Sequence, residues 1–316
     1  MISSDPLLDI PDHPALQQLS RALYSRGAMR GAAVLVGAGV SRGGALLVSN
    51  DTPPPPLWSH LAEDMARELY GVQSANAPRD PLRLAEEYRV GLGDAALTDF
   101  LRRRIRDDAL EPGPIHHALL DLPWADVLTT NYDTLLERAA KNARRSYDVV
   151  LAESDLPHTR GARVIKLHGS LQDGANVVIS EEDYRTYPDR RAAFVNTARQ
   201  VFIENELCLL GFSGDDPNFL QWAGWVRDRL STRVRRIYLV GALNLSSVKR
   251  RLLESRGISP IDLASAVESE RCDLRHAAAI SLFLKHLKSA RPEPPRVCRR
   301  PFGLSYAAIA GWSSVA

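Results

Sequence analysis

Two residues of this chain have side chains suited to acting on a polarised bond, and each follows a short apolar run. Asn131 stands in Thr129-Thr130-Asn131-Tyr132-Asp133 and presents an amide with both donor and acceptor atoms. His168 stands in Lys166-Leu167-His168-Gly169-Ser170 and can take a proton near neutral pH. Two glycine-bearing segments accompany them. Gly37-Ala38-Gly39-Val40-Ser41 follows the first apolar run, and Gly211-Phe212-Ser213-Gly214-Asp215-Asp216-Pro217-Asn218 follows a later one. Glycines at such places let the backbone approach a pyrophosphate, and a helix start just beyond supplies N–H donors. Gly211 and Ser213 are read as ligand-facing, and Asp216 as a helix cap with Pro217 in the first helical position. Each motif also has a plainer reading. The strict GxGxxG fingerprint is broken because residue 42 is Arg, so the first segment also fits a tight turn. Asn131 and Asp133 suit helix capping, and most lone histidines are partly buried and satisfied by backbone.

The elements that must position these residues alternate. Short β-branched runs at Ala32–Val36, Asp126–Thr130, Arg163–His168, Val177–Ile179, Glu206–Gly211, Arg236–Val240 and 257–263 read as strands. Helices are expected at 14–29, from Tyr132 to about Lys141, within 181–205, and at about 216–230, 246–256 and 274–287. That rhythm predicts an α/β fold, a Rossmann-like parallel sheet flanked by helices, whose ligands sit at the carboxyl ends of the strands. Between the first two strands, Asp51-Thr52 and four prolines break regular structure, and about residues 57–120 read as a helical insertion without a convincing strand. The expected layout is one domain over 1–290 and a Pro- and Arg-containing tail over 291–316.

Bulk properties narrow the class. The chain has 316 residues, 45% hydrophobic and 25% charged, enough for a sizeable core. A formal net charge of +2 makes direct nucleic-acid binding a poor expectation. Arg102-Arg103-Arg104 and Arg235-Arg236 read more simply as solvated charges. Cys208, Cys272 and Cys298 are far apart and form no CxxC pair, which argues against a zinc ribbon and fits a reducing cytoplasm. No signal peptide or membrane span is expected.

Taken in order, GAGVS, TTNYD, KLHGS and GFSGDDPNF resemble the sirtuin-like NAD-consuming family over about residues 30–265. The resemblance implies that Gly37, Ala38, Gly39 and Ser41 bind the NAD phosphates and that Thr130, Asn131 and Asp133 match the family's TQN-I-D motif. It implies His168 as the catalytic histidine, and Gly211 and Ser213 as phosphate and ribose contacts. Departures are equally informative. The family's protein deacylases carry two CxxC pairs for a structural zinc, absent here, and their GIPDFR run is replaced by GGALLVSNDTPPPP. Ile179-Ser180-Glu181-Glu182-Asp183-Tyr184 looks like the bacterial anti-phage branch, whose members hydrolyse NAD. The resemblance therefore implies a zinc-free NAD glycohydrolase that depletes NAD in phage defence. It also implies homo-oligomer assembly and a regulatory partner: a hexameric ATPase, an Argonaute-type protein or a phage-sensing protein. Three rivals stay open: a zinc-free deacylase or ADP-ribosyltransferase, a non-catalytic NAD or ADP-ribose sensor, and a nucleic-acid-processing component. A peptide groove between the helical insertion and the sheet would favour the first.

Overall fold

The structure, a computed structural model, describes residues 6–25, 31–49, 52–71, 78, 80–173, 177–272 and 274–292. Seven strands form one sheet: β1 (Ala32–Val36), β4 (Asp126–Thr129), β5 (Tyr147–Val150), β6 (Ala162–Lys166), β7 (Glu206–Leu210), β8 (Ile237–Gly241) and β9 (Ile258–Asp262). Their order is β5-β6-β4-β1-β7-β8-β9, and every pairing is parallel. This is the expected Rossmann-like class. The chain lays β4 beside β1, places β5 at the edge and β6 between β5 and β4, then crosses to build β7, β8 and β9 on the other side. The direction of growth reverses between β1 and β7, the place where open parallel sheets bind ligands.

Alternation along the strands feeds two cores. Val34, Val36, Val127, Val164, Cys208 and Leu210 face one side, where they meet α1 (His13–Leu23), α6 (Pro114–Leu120), α7 (Leu135–Lys141) and α12 (Arg275–Ser289). Ala33, Leu35, Leu128, Ile165, Leu207 and Leu209 face the other. They pack there on α8 (Glu181–Arg190), α9 (Ala192–Glu204), α10 (Pro217–Leu230) and α11 (Ser247–Ser255). Burial of each such Val, Leu or Ile side chain contributes roughly 1.5–3 kcal/mol. A third apolar cluster joins α3 (Trp58–Tyr70), α4 (Pro81–Leu92) and α5 (Asp94–Ile105) to Leu171 and Ile179.

Several local expectations need correction. The segment 57–120 does hold a strand: β3 (Leu110–Pro112) pairs antiparallel with β2 (Ala45–Leu47), which follows α2 (Ala38–Gly44). Strand β5 was not anticipated. It is an edge strand whose residues 147–149 are only half-buried, so its hydrophobic signal is weak. Val177–Ile179 is not a strand; Val178 N donates to His168 O at 3.0 Å, and the run is shared between two cores, Val178 packing with the sheet side and Ile179 with the α3–α5 cluster. Helix α7 begins at Leu135 rather than Tyr132, because residues 130–134 form a loop held by side-chain bonds. Residues 26–29 of the expected first helix, and the tail from 293, lie outside the described residues.

Candidate active site

Register aligns the motifs. Val36 pairs with Thr129 on one side and with Leu210 on the other, and Thr129 pairs with Lys166. Gly37, Thr130, Leu167 and Gly211 therefore form the next row, at the carboxyl rim of the sheet. Asn131 and His168 each lie two residues beyond paired positions on adjacent strands. Four motifs spread over 175 positions are thus brought to one edge by strand pairing alone.

The loop 130–134 is fixed from all sides. Asn131 N donates to Thr129 Oγ1 at 3.1 Å, and that hydroxyl donates to Val36 O at 3.0 Å. Asn131 Nδ2 donates to Ser41 Oγ at 2.9 Å, and Ser41 Oγ donates to Asp133 Oδ2 at 2.7 Å. Asp133 Oδ1 accepts from Leu135 N at 3.2 Å, so Asp133 also caps the helix start. Asn131, Asp133 and Ser41 are all buried. Thr130 is half-buried and contributes its backbone, donating to Val36 O at 3.4 Å. On the far side, Lys166 Nζ donates to the Asp133 carbonyl and lies 3.0 Å from Glu137 Oε1. Burial pushes the Glu137 carboxyl above its usual range, opposed by Lys166.

His168 sits past the end of β6, where Gly169 takes φ +80° and turns the chain. That turn breaks strand alternation. Lys166 reaches toward α7 on one face, whereas the His168 ring packs edge-on against Tyr184 (5.3 Å) and Tyr187 (5.9 Å) on the other. The Asn218 amide lies 3.4 Å from His168 Nε2. The tyrosines are themselves tied, Tyr187 OH to Leu167 O and Tyr184 OH to Asp216 Oδ2. Burial lowers the His168 pKa, with Asp216 and Asp183 opposing, so the ring is neutral at physiological pH. A neutral imidazole fixed beside an amide can accept a proton from water or a hydroxyl.

The glycine segments meet each other. Gly37 N donates to Leu210 O at 3.0 Å and Gly39 N to Gly211 O at 2.9 Å. A methyl group on Gly37 would lie 2.5 Å from Gly211 O, and one on Gly211 2.4 Å from Val40 N. Gly211 also has φ +61°. These glycines are needed for the two turns to touch, a reason for them independent of any ligand. Ala38 opens helix α2 after Gly37 and is half-buried. Ser213 is exposed and its hydroxyl accepts from Asp215 N at 3.2 Å. Asp216 caps α10 as expected, accepting from Phe219 N at 2.9 Å.

Three residues escaped the sequence reading. Asn218 was visible only as the end of a motif. Lys166 was visible only as part of KLHGS; nothing in a sequence announces that a lysine is fully buried. His276, in α12, carried no motif at all. Its Nε2 would be 2.7 Å from a methyl on Gly39, and it also lies against Gly241 at the end of β8. Burial lowers its pKa.

Two clefts flank the rim. One of about 870 Å³ lies between α4, α5 and α8, with Arg89, Leu97, Val178, Asp183, Tyr187 and Arg190 in its walls. Another of about 710 Å³ is bounded by Arg102, Arg106, Thr134, Arg138 and Leu171, next to the Asn131 loop. Among the described residues, no group of three or more His, Cys, Asp or Glu is placed to hold a metal ion, and no helix is long and apolar enough to cross a membrane.

Residues 125–261 match a family described as SIR2-like domain. "Defense-associated sirtuin 2" of Bacillus subtilis is 27% identical over 241 residues, 73% of this chain and 24% of that protein. "NAD(+) hydrolase ThsA" of Acinetobacter baumannii is 32% identical over 189 residues, 58% of this chain and 38% of that protein. Its Enterococcus faecium namesake is 30% identical over 193 residues, 59% of this chain and 38% of that protein. This chain thus spans about a quarter to two fifths of the length of these curated relatives. The strand pairings that bring Asn131 and His168 together, β4 with β6, fall inside the segment that matches the SIR2-like domain.

Proposed function

We propose that this chain hydrolyses NAD to nicotinamide and ADP-ribose and serves as a NAD-depleting effector of anti-phage defence in the bacterial cytoplasm. The observation that carries the reading is the Asn131–Ser41–Asp133 chain of hydrogen bonds beside the neutral, buried His168 on the adjacent strand end. The names of the relatives, a defence-associated sirtuin and NAD(+) hydrolases, support it.

The residues suit the substrate. Asn131 commits its Nδ2 to Ser41, and among the described residues its carbonyl oxygen has no partner, leaving an acceptor for a ribose hydroxyl or water. His168 Nδ1 is likewise without a protein partner among the described residues. In the reaction the C1′–N bond breaks and both electrons leave with nicotinamide, which neutralises its ring charge. The oxygen of water bonds to C1′ and loses a proton. Asn131 orients the ribose or the water, and His168 accepts the proton. Gly37, Ala38, Gly39, Ser41, Gly211 and Ser213 hold the dinucleotide in the proposal, Thr130 and Asp133 support the Asn131 loop, and no step uses zinc. Unrestrained NAD loss is toxic, so the proposal includes control through homo-oligomer assembly or a protein partner: a hexameric ATPase, an Argonaute-type protein or a phage-sensing protein. A strictly monomeric, partnerless and fully active protein would count against that control.

A second reading has one observation in its favour. The cleft of about 870 Å³ lies between the helical insertion and α8, and Tyr187 and Val178 in its walls also touch His168. A deacylase or ADP-ribosyltransferase would place its protein substrate there. The Arg89–Asp183 ion pair at 2.7 Å and the charged lining make this a poor channel for an acyl chain. Incubation with NAD alone, followed by chromatography of nicotinamide and ADP-ribose, separates the readings. Free ADP-ribose without added peptide is the expected result; nicotinamide release that appears only with an acyl or acceptor peptide would favour the second reading.

A further inference from the structure

The Lys166–Glu137 pair has no part in the reaction proposed above, yet its setting is hard to explain as core packing. Lys166 has 0% exposure, and a charge so deep carries a large desolvation cost unless it is paired and hydrogen-bonded. An apolar residue at the end of β6 would fill the same volume without that cost. What the ammonium does that an apolar side chain cannot is donate to the Asp133 carbonyl. Asp133 is the residue whose carboxylate accepts from Ser41, and Ser41 in turn accepts from Asn131. Glu137, on the first turn of α7, sits 3.0 Å from the ammonium and fixes it from below. Both its carboxylate oxygens are buried without a hydrogen-bond partner, so the carboxylate answers Lys166 as an ion pair and no second group.

The geometry points to Lys166 as a positioning residue: anchored by Glu137, it sets the height of the Asp133 carbonyl and so aims the Asn131 amide across Ser41. It touches no reacting atom in this account. Lys166 and His168 lie two residues apart yet on opposite faces of the sheet, so one strand end places both the proton acceptor and the support of its partner loop. The inference rests on the hydrolase reading for its effect on turnover, but its effect on the loop is independent of that reading.

The test uses the full chain with both charges removed together, Lys166→Met with Glu137→Leu. Replacement of a buried ion pair by apolar residues is often neutral for stability, whereas removal of one partner is not. Two quantities are read: amide hydrogen exchange over residues 130–135, and kcat against KM for NAD. The expected result is a cooperatively folded variant whose amides at Thr130, Asn131, Thr134 and Leu135 exchange at least tenfold faster. Its kcat falls at least tenfold while KM changes less than threefold. A purely structural lysine would shift the unfolding midpoint and leave kcat per folded molecule unchanged. Unchanged exchange in the folded variant, or wild-type kcat, overturns the inference. If the unaltered chain itself releases no nicotinamide, the hydrolase reading is left without its activity, and the exchange data alone decide the role of Lys166. Should the double variant not fold, Lys166→Met alone is read by the same exchange measurement under conditions where it is folded, with the same two outcomes.

Discussion

The carboxyl rim of the sheet has two sides built on different principles. On the β4–β6 side, position is set by side chains: Asn131, Ser41, Asp133, Lys166 and Glu137 form one buried polar network, and His168 is boxed by Tyr184, Tyr187 and Asn218. On the β1–β7 side, position is set by backbone: Gly37, Gly39 and Gly211 interlock, and Ser213 is exposed. Members of a buried polar network depend on one another, so a single deletion there propagates. A backbone cradle responds to added atoms and ignores most side-chain losses. The first side is suited to chemistry, the second to holding a ligand with little side-chain readout.

That contrast can be broken or sharpened by substitution. The largest effect is expected at Asn131→Ala, which removes a buried amide and its bond to Ser41. Turnover of NAD should fall at least 100-fold, beyond what a stability loss of about 1–3 kcal/mol explains, as seen by steady-state kinetics on the folded variant beside thermal melts. Gly211→Ala should act the other way, on the fold. The left-handed backbone alone costs roughly 1–3 kcal/mol, and the clash with Val40 N adds to it, so urea midpoints should drop clearly. Ser41→Ala is intermediate: it strands a buried Asp133 oxygen at a cost of about 1–3 kcal/mol and loosens Asn131, so both stability and kcat should fall. Ser213→Ala should be the mildest, within about 0.5 kcal/mol in stability, with any kinetic effect confined to KM.

Acid sharpens the same comparison. His116 is fully buried, and desolvation depresses its pKa to about 4; His168 is shifted in the same direction by burial. Above the unfolded value near 6.5 neither state binds a proton at these rings, and stability is unaffected. As pH falls from there toward 4 the unfolded chain gains protons that the folded chain refuses, so stability should decline. Denaturant midpoints across that window test this, and His116→Leu should flatten the decline.

Much of this was legible in the sequence, for identifiable reasons. The runs 32–36 and 206–210 are fully buried on both faces, and such strands announce themselves as continuous apolar runs. The glycines and the Asp216–Pro217 cap are local backbone signals, and they fell where expected. What escaped were features decided by distant partners. β5 is short and half-exposed, β2 and β3 are three residues each, and 177–179 is apolar because helices cover it. Asn218 and His276 reach the rim from helices far along the chain, and the burial of Lys166 depends on α7 lying over it. Such contacts leave no spacing or period to read.

The most direct test of the central claim compares the unaltered protein with His168→Ala in NAD alone, following free nicotinamide and ADP-ribose over time. The account predicts nicotinamide and ADP-ribose in equal amounts from the unaltered chain, and a loss of at least 100-fold in the folded variant. A folded His168→Ala protein that releases nicotinamide at the unaltered rate would contradict it.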